Sequence, residues 1–250
     1  MKKLLFILTL LFSTTAYADG IDAQNVLNPH CDGTDASTSF PDASTANPKT
    51  ITANGNGQVD TAQKKFGTGS YLGDGNLDYL SVPTSTDFNF GTADFTIDFW
   101  VRFNAGPGVN MDMVNRGNPI TDSLDIAIRV NNSNNVLVYL MGGLLFNTGW
   151  AFNQAQWYHV ALSRSGTNLR LFIDGTQLGS TVTNSTDVTS SEDLFLGASP
   201  FLASNSLNGW MDEIRFSKGI ARWTADFTPP TEAYSAAGGG AKNLATLGVG

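Results

Sequence analysis

The stretch WYHVALSRSGTNLRLFIDG, residues 157–175, decides the fold class of this chain. Its side chains alternate between two faces from Trp157 to Arg164, and the alternation resumes from Leu169 to Asp174 after the turn residues at 165–168. A period of two is typical of a half-covered β-strand, and two such runs across a short turn predict a hairpin. Because Asp174-Gly175 is a further tight-turn signal, the stretch predicts an antiparallel meander.

The same pattern extends in both directions from this meander. Residues 95–103 form the clearest strand, with five apolar side chains on one face: Phe95, Ile97, Phe99, Val101 and Phe103. The chain contains 26 Gly, 11% aromatic residues and only 14% charged residues, a composition that suits an all-β domain. About twelve short runs, with no helix longer than a turn or two, predict a single β-sandwich.

The N-terminus has the three parts of a signal peptide, predicted over residues 1–18. Lys2 and Lys3 form a positive start, an apolar run follows, and Ala16-Tyr17-Ala18 is a typical cleavage sequence. The sequence therefore predicts export, to the periplasm, the cell surface or the medium, after cleavage at Ala18.

The remaining chain divides into one domain and a tail. We expect the folded domain over residues 19–234 and a flexible, Gly-rich tail over residues 235–250. No later stretch has the length of a transmembrane helix, so we expect no insertion into a membrane.

Charge and cysteine content restrict the partners. The net charge is −8 at pH 7, and it becomes −10 when Lys2 and Lys3 are removed with the signal peptide. This excess of acid argues against nucleic acid and is compatible with neutral sugars or divalent cations. Cys31 is the only cysteine, so no intramolecular disulfide forms, and we expect its side chain to be buried.

Five motifs together resemble a known family. They are HCDG (30–33), KKFGTGSYLGDGNLDYLSVP (64–83), DFTIDFWVRF (94–103), WYHVALSRSGTNLRLFIDG (157–175) and WMDEIRFSKGIARWTADFTPPT (210–231). Over residues 26–231 the chain resembles the laminin-G-like jelly-roll domains of the concanavalin A-like lectin/glucanase superfamily, in the variety common in bacterial secreted proteins and phage structural proteins. The resemblance implies an all-β fold, a two-sheet antiparallel jelly-roll sandwich whose first and last strands are neighbours.

Some members of this superfamily are glycosidases, which need two carboxylates flanking the scissile bond. The glutamates of this chain are not paired in that way. Asp94 and Asp98 share one strand face, but Thr96 stands where a bridging acid would be expected, so we interpret both as polar residues on a solvated face. With only two histidines and no G-x-S-x-G sequence, a nucleophilic triad is not supported either. We therefore expect no enzymatic activity.

Asp212 is an anomaly in the strand at 210–217. Simple alternation places it between Trp210 and Ile214 on the apolar face, where a carboxylate needs hydrogen bonds, a cation or a metal ion. One alternative is that it accepts hydrogen bonds from the backbone of the first loop. The other is that it pairs with Arg215 or Lys218.

Calcium is the metal that such a carboxylate suggests, because it takes several oxygen ligands. Asp32 ends the first predicted strand, which the resemblance places beside the strand of Asp212, and Asp42 follows in the next loop. Many laminin-G-like jelly rolls bind calcium, so the resemblance makes Ca²⁺ a candidate cofactor with Asp32, Asp42 and Asp212 as ligands.

Aromatic and polar residues in predicted loops are candidates for ligand recognition, since binding residues concentrate in loops. The sequence predicts irregular loops at 106–119 and 142–156. The candidates in these loops are Asp112, Asn115, Arg116, Phe146 and Trp150. The other tryptophans, Trp100, Trp157, Trp210 and Trp223, match aromatic positions of the family scaffold, and we assign them to the core. The five loop residues predict a rim that binds glycans or a surface, the alternative being ordinary loop residues that cover a sheet edge.

These observations predict an exported, non-catalytic binding module that recognises carbohydrate or another surface ligand. The competing hypothesis is a structural or adhesion module of a phage or cell-surface assembly, with a protein partner and no small ligand. A glycoside hydrolase comes third because the acid pair is missing.

Overall fold

The computed structural model describes residues 20–104, 106, 108–118 and 123–236. The predicted signal peptide at 1–18 and the tail beyond residue 236 lie outside these residues. The strands are β1 (Gly20–Ile21), β2 (Asn25–Leu27), β3 (Thr52–Asn54), β4 (Gln58–Asp60), β5 (Ser70–Asp74), β6 (Tyr79–Val82), β7 (Phe95–Phe103), β8 (Met111–Asn118), β9 (Ser123–Val130), β10 (Asn135–Leu140), β11 (Gly143–Gly149), β12 (Trp157–Ser165), β13 (Asn168–Ile173), β14 (Thr176–Gln177), β15 (Val182–Thr183), β16 (Leu194–Leu196), β17 (Asn208–Lys218) and β18 (Ser235–Ala236). Two 3-10 helices cover Thr86–Phe88 and Ala203–Asn205.

Two antiparallel sheets form a jelly-roll sandwich, which confirms the predicted fold class. The seven-stranded sheet has the order β11-β10-β9-β8-β16-β6-β3. The nine-stranded sheet has the order β14-β13-β12-β7-β17-β5-β4, with β15 beside β13 and β2 beside β17. Strand β2, near the start of the domain, pairs with β17, its last long strand, as the family resemblance implies.

Local periodicity predicted the centre of the nine-stranded sheet correctly. Strand β7 has the bounds read from the sequence, and β12 and β13 form the expected hairpin. The inward face of each strand supplies apolar side chains to one core between the sheets, among them Phe99, Val160 and Leu171. Burying such side chains contributes roughly 1.5–3 kcal/mol each, so the core is the main source of stability.

Strand β17 corrects the predicted position of Asp212. Its register against β7 shifts between Asp212 and Arg215, and Glu213 has a φ of 47°. Such a β-bulge adds one residue and reverses the alternation. Met211 before the bulge and Ile214 after it therefore both lie in the core, whereas Asp212 pairs with Trp100 on the outer face. The prediction that Asp212 shares the apolar face with Ile214 is wrong.

Two predicted loops are strands in the structure. Residues 111–118 form β8 and residues 143–149 form β11, although we expected irregular loops at 106–119 and 142–156. In β8 the register shifts twice against β9, and these bulges interrupt the alternation that would have revealed the strand. Strand β11 is an edge strand that pairs only with β10 among the described residues.

A C-terminal segment, residues 219–236, covers part of the outer face of the nine-stranded sheet. Trp223 stacks on Phe227 with ring centres 4.1 Å apart, and both pack with the buried Phe172. The segment ends in β18, which pairs in parallel with β1. Beneath it Asp98 is fully buried, so the expectation that this side chain lies on a solvated face is wrong.

Among the described residues, no helix has the length and hydropathy needed to cross a membrane.

Candidate functional site

An open groove of about 500 Å³ lies on the outer face of the nine-stranded sheet. We call it the aromatic groove and define it by the residues that line it: Lys65, Phe66, Trp100, Trp157, Asp174, Thr228, Pro229, Pro230 and Thr231. Its volume is within the range of roughly 300–1,000 Å³ that is usual for small-ligand sites.

Two tryptophans come from the central strands beneath the groove. Trp100 lies on β7 beside His159 of β12, and Trp157 begins β12. Only 5% of Trp100 is exposed, and its indole Nε1 has no hydrogen-bond partner. Trp157 is partly exposed. A buried indole N–H normally has a partner, and this one has none within the described residues.

Asp212 holds the loop that carries Lys65 and Phe66. One oxygen of its carboxylate accepts hydrogen bonds from the backbone N–H groups of Lys65 (2.8 Å) and Phe66 (3.0 Å). The other oxygen accepts the N–H of Glu213 at 2.8 Å. Burial and the charge of Glu213 raise the pKa of Asp212 to about 8. Asp212 thus accepts hydrogen bonds from loop backbone, as one alternative proposed, but the donors belong to the loop between β4 and β5 and not to the first loop.

The ammonium group of Lys65 lies over the indole of Trp100. Its Nζ is 3.8 Å from the centre of that ring and 5.4 Å from the ring of Phe66, which itself meets Trp100 edge-on. No carboxylate of the described residues lies within 4.0 Å of this Nζ. Partial burial lowers the pKa of Lys65, opposed by the charges of Asp174 and Asp212.

The far wall of the groove is the C-terminal segment, held by the β13–β14 turn. The N–H of Phe227 donates to the carbonyl of Gly175 at 2.9 Å. Gly175 has a φ of 76°, and a Cβ there would collide with the carbonyl oxygen of Phe227, so only glycine fits. The neighbouring Asp174 is exposed, and its Oδ1 accepts the backbone N–H of His159 at 2.8 Å.

A closed charge network lies beside the groove beneath the same C-terminal segment. Arg215 donates to both carboxylate oxygens of Asp98, at 3.0 and 3.1 Å. The hydroxyl of Tyr234 donates to Asp98 as well, and Nε2 of His159 is 3.5 Å from it. Burial alone would raise the pKa of Asp98, but the charge of Arg215 and the contact with His159 bring it down to about 2. We call these four residues the Asp98 network.

The three predicted calcium ligands are held separately. Asp32 accepts hydrogen bonds from Thr68 and Gly69, and Asp42 accepts the backbone N–H groups of Asn28 (2.7 Å) and Lys49 (2.7 Å). The described part of the chain contains no group of three acidic, His or Cys residues that could hold a metal ion. These carboxylate oxygens accept hydrogen bonds from N–H groups, which a cation would have to displace, so the present arrangement does not fit a calcium ion. Calcium binding therefore stays a prediction.

The five candidates for a binding rim are all buried. Asp112, Asn115 and Arg116 belong to β8, and Phe146 belongs to β11, so their placement in loops is wrong. Trp150 does follow β11 in a loop, but it is only 6% exposed.

The contacts of these five side chains are internal. Asp112 pairs with Arg129 at 3.1 Å, and burial raises its pKa to about 6. Arg116 donates to backbone carbonyls, including that of Phe88 at 2.8 Å. Phe146 and Trp150 pack in the core. A binding role for the five residues stays a prediction, without exposed side chains to support it.

Sequence reasoning missed the aromatic groove. Trp100 and Trp157 were assigned to the core because they match scaffold positions, although alternation places Trp157 on the face opposite Val160 and Leu162. That parity was the available signal. No local pattern marked Lys65 or Asp174, since their neighbours in the groove are distant in sequence.

The chain belongs to the laminin G family Laminin_G_3, which is part of the concanavalin A-like lectin/glucanases superfamily. The model of this family matches residues 74–222. No curated protein sequence matches the chain.

Several solved structures are similar in fold. The binding domain of Paraclostridial Mosquitocidal Protein 1 is 15% identical, with a TM-score of 0.60 over 80% of this chain and 50% of that one. Domain 4 of AbnA, a GH43 extracellular arabinanase from Geobacillus stearothermophilus, is 18% identical, with a TM-score of 0.59 over 80% and 94%. The binding domain of Botulinum neurotoxin DC is 15% identical, with a TM-score of 0.60 over 81% and 50%. This chain spans about half the length of the two toxin domains.

Proposed function

We propose that this chain is a non-catalytic binding module that recognises carbohydrate through the aromatic groove. The observation that carries the proposal is the presence, in one open groove, of two partly exposed aromatic rings, Phe66 and Trp157, together with the charged side chains of Lys65 and Asp174. Export by the predicted signal peptide belongs to the same proposal and is tested by sequencing the N-terminus of the secreted protein.

The chemistry of the groove matches that of a sugar. Trp157 lines the groove and is partly exposed, so its ring can serve as a platform for the C–H groups of a sugar. Asp174 can accept hydrogen bonds from hydroxyl groups, while the ammonium group of Lys65 can donate them. A mainly apolar surface with a few polar groups is the usual composition of a ligand site.

The same inventory disfavours catalysis. Among the residues that line the groove, Asp174 is the one carboxylate, whereas glycosidases in most families use a pair. Asp98 lies nearby but is fully buried within its network, where no substrate reaches it.

Structural neighbours support binding in general. Domain 4 of AbnA is described in complex with arabinotriose, and the binding domain of Botulinum neurotoxin DC in complex with rat synaptotagmin II. One of these ligands is a glycan and the other a protein, so the fold presents ligand sites of both kinds. The aromatic groove favours the glycan for this chain.

A glycan array tests the proposal. The purified chain is compared with Trp157→Ala, which removes an aromatic platform; stacking of a nucleic-acid base on such a platform contributes about 1–3 kcal/mol, so by analogy the affinity for the bound glycans should fall at least about fivefold. Phe201→Ala is the matched control, because Phe201 is 38% exposed but does not line the groove. Equal binding by wild type and Trp157→Ala, or no binding to any glycan, would refute the proposal.

A structural or adhesion module is the second candidate. Met141 and Leu144 are 37% and 47% exposed at the hairpin that ends in edge strand β11. An edge strand with exposed apolar side chains can pair with another chain. This function would be favoured if the chain assembles in a concentration-dependent way, if Leu144→Lys abolishes the assembly, and if no glycan on the array is bound.

A further inference from the structure

We infer that the aromatic groove selects glycans that carry a carboxylate or sulfate group, and that Lys65 is the residue that recognises the anion. The inference rests on the proposed carbohydrate-binding function and defines its ligand class.

Lys65 differs from the other lysines whose ammonium contacts the structure shows. Lys49 pairs with Asp87 at 2.7 Å, Lys64 donates to the carbonyl of Thr61 at 2.9 Å, and Lys218 donates to the carbonyl of Thr86 at 2.8 Å. Within the described residues, no oxygen accepts a hydrogen bond from the ammonium of Lys65. Its three N–H donors are therefore open to a ligand.

The ammonium group of Lys65 lies against an aromatic ring of the groove. The ammonium is partly removed from water and lies against the indole of Trp100 at 3.8 Å. The negative face of an aromatic ring attracts a cation, but it accepts none of its hydrogen bonds in the way that an anion does. A ligand that brings its own anion would supply charge-assisted acceptors for the hydrogen bonds of this ammonium group.

Asp174 does not neutralise Lys65 by direct pairing, because the two groups are not within ion-pair distance. One oxygen of Asp174 already accepts the N–H of His159 at 2.8 Å. Since this carboxylate repels an anion placed next to it, the acidic group of the ligand belongs beside Lys65. Asp174 remains available for hydroxyl groups of the same sugar.

The test compares charged and uncharged forms of one ligand. An array that includes neutral, carboxylated and sulfated glycans first identifies what the wild-type chain binds. The strongest carboxylated ligand is then titrated by calorimetry beside its derivative in which the carboxyl is reduced to a primary alcohol, and the strongest sulfated ligand beside its desulfated form. We expect binding to be about tenfold weaker after removal of the charge, as for other charge-assisted hydrogen bonds.

Lys65→Gln identifies the residue. This variant should lose about tenfold in affinity for the charged ligand and clearly less for the uncharged derivative, so that the preference for the charged form falls. Lys64→Gln, the matched control, removes the same charge from the adjacent exposed residue and should bind both forms normally. Lys65→Arg, which keeps the charge, should retain much of the preference for the charged form.

The outcomes separate this inference from the proposed function. If the bound glycans are neutral, or if Lys65→Gln does not reduce the preference for the charged form, the anion inference is wrong while the groove remains a glycan site. If no glycan binds, or Trp157→Ala changes nothing, the proposed function itself fails.

Discussion

The aromatic groove and the Asp98 network lie on the same outer face of one sheet, and they differ in whether the protein supplies hydrogen-bond partners for their charged side chains. In the network, the carboxylate of Asp98 receives both arms of Arg215 and the hydroxyl of Tyr234. In the groove, the ammonium of Lys65 and the indole N–H of Trp100 have no partner among the described residues. The C-terminal segment covers the first region and forms only a wall of the second.

This difference indicates which region serves stability and which serves binding. A buried charge whose hydrogen bonds are all made within the protein helps to hold the folded structure together. It has no free donor or acceptor left for a ligand. A charged side chain at an open groove that has no hydrogen-bond partner in the protein contributes little to stability and remains available to a ligand. Four measurements test this division, from the largest expected effect to the smallest.

Asp98→Ala should cause the largest loss of stability. It leaves the guanidinium of Arg215 buried without its carboxylate, and removing one member of a buried pair typically costs about 3–5 kcal/mol. Denaturant unfolding at pH 7 measures the change. Asp94→Ala is the control, because partly exposed Asp94 accepts only the N–H of Gly166 in the described structure, and its loss should cost less than about 1.5 kcal/mol. Equal losses in both variants would contradict a stabilising network.

Stability should also depend on pH in two opposite directions. The pKa of Asp98 is lowered to about 2 from an ordinary value of 3.8, so its contribution of about 2 kcal/mol is present above pH 4 and lost as the pH falls towards 2. The pKa of Asp212 is raised to about 8, so its protonated form favours folding below pH 4, and that stability is lost as the pH rises through 8.

Urea unfolding at intervals from pH 2 to pH 9 measures both limbs. In Asp98→Ala the loss on acidification should be smaller than in wild type, whereas the loss between about pH 4 and pH 8, which Asp212 causes, should persist. If the loss of unfolding free energy between pH 4 and pH 2 is the same in Asp98→Ala as in wild type, other carboxylates cause that loss.

Lys65→Met should change the free energy of unfolding by no more than about 0.5 kcal/mol, as is usual for surface substitutions. The ammonium it removes has no hydrogen bond within the described part of the chain, and the methionine stem still covers Trp100. Thermal and denaturant unfolding of Lys65→Met and Asp98→Ala compare the loss of stability in the groove with the loss in the network. A loss comparable to that of Asp98→Ala would make Lys65 a structural residue and contradict the division.

Excess calcium should have the smallest effect, with no shift in the melting temperature and none on addition of a chelator. The carboxylates of Asp32, Asp42 and Asp212 face N–H donors that a cation would displace. A calcium-dependent rise in the melting temperature that is lost in Asp212→Asn would establish the site that the sequence suggested.

The sequence determined the strands and the sandwich, because alternation is a local property of the chain. The residues of β7, and the hairpin of β12 and β13, were readable from a period of two. The family motifs added the neighbouring positions of β2 and β17. Where bulges break the period, as in β8, the reading failed and strand was interpreted as loop.

Only the tertiary structure decided the site. A single bulge at Glu213 moved Asp212 from the apolar face to the outer one, where it holds the loop of Lys65. The C-terminal segment buried Asp98, whose strand alone predicted exposure. The aromatic groove joins Lys65 to Trp157 and to residues 228–231, and no local pattern can place such distant residues together. Sequence periodicity reports which face of its own strand a residue occupies, whereas exposure and pairing depend on what the rest of the chain places against that face.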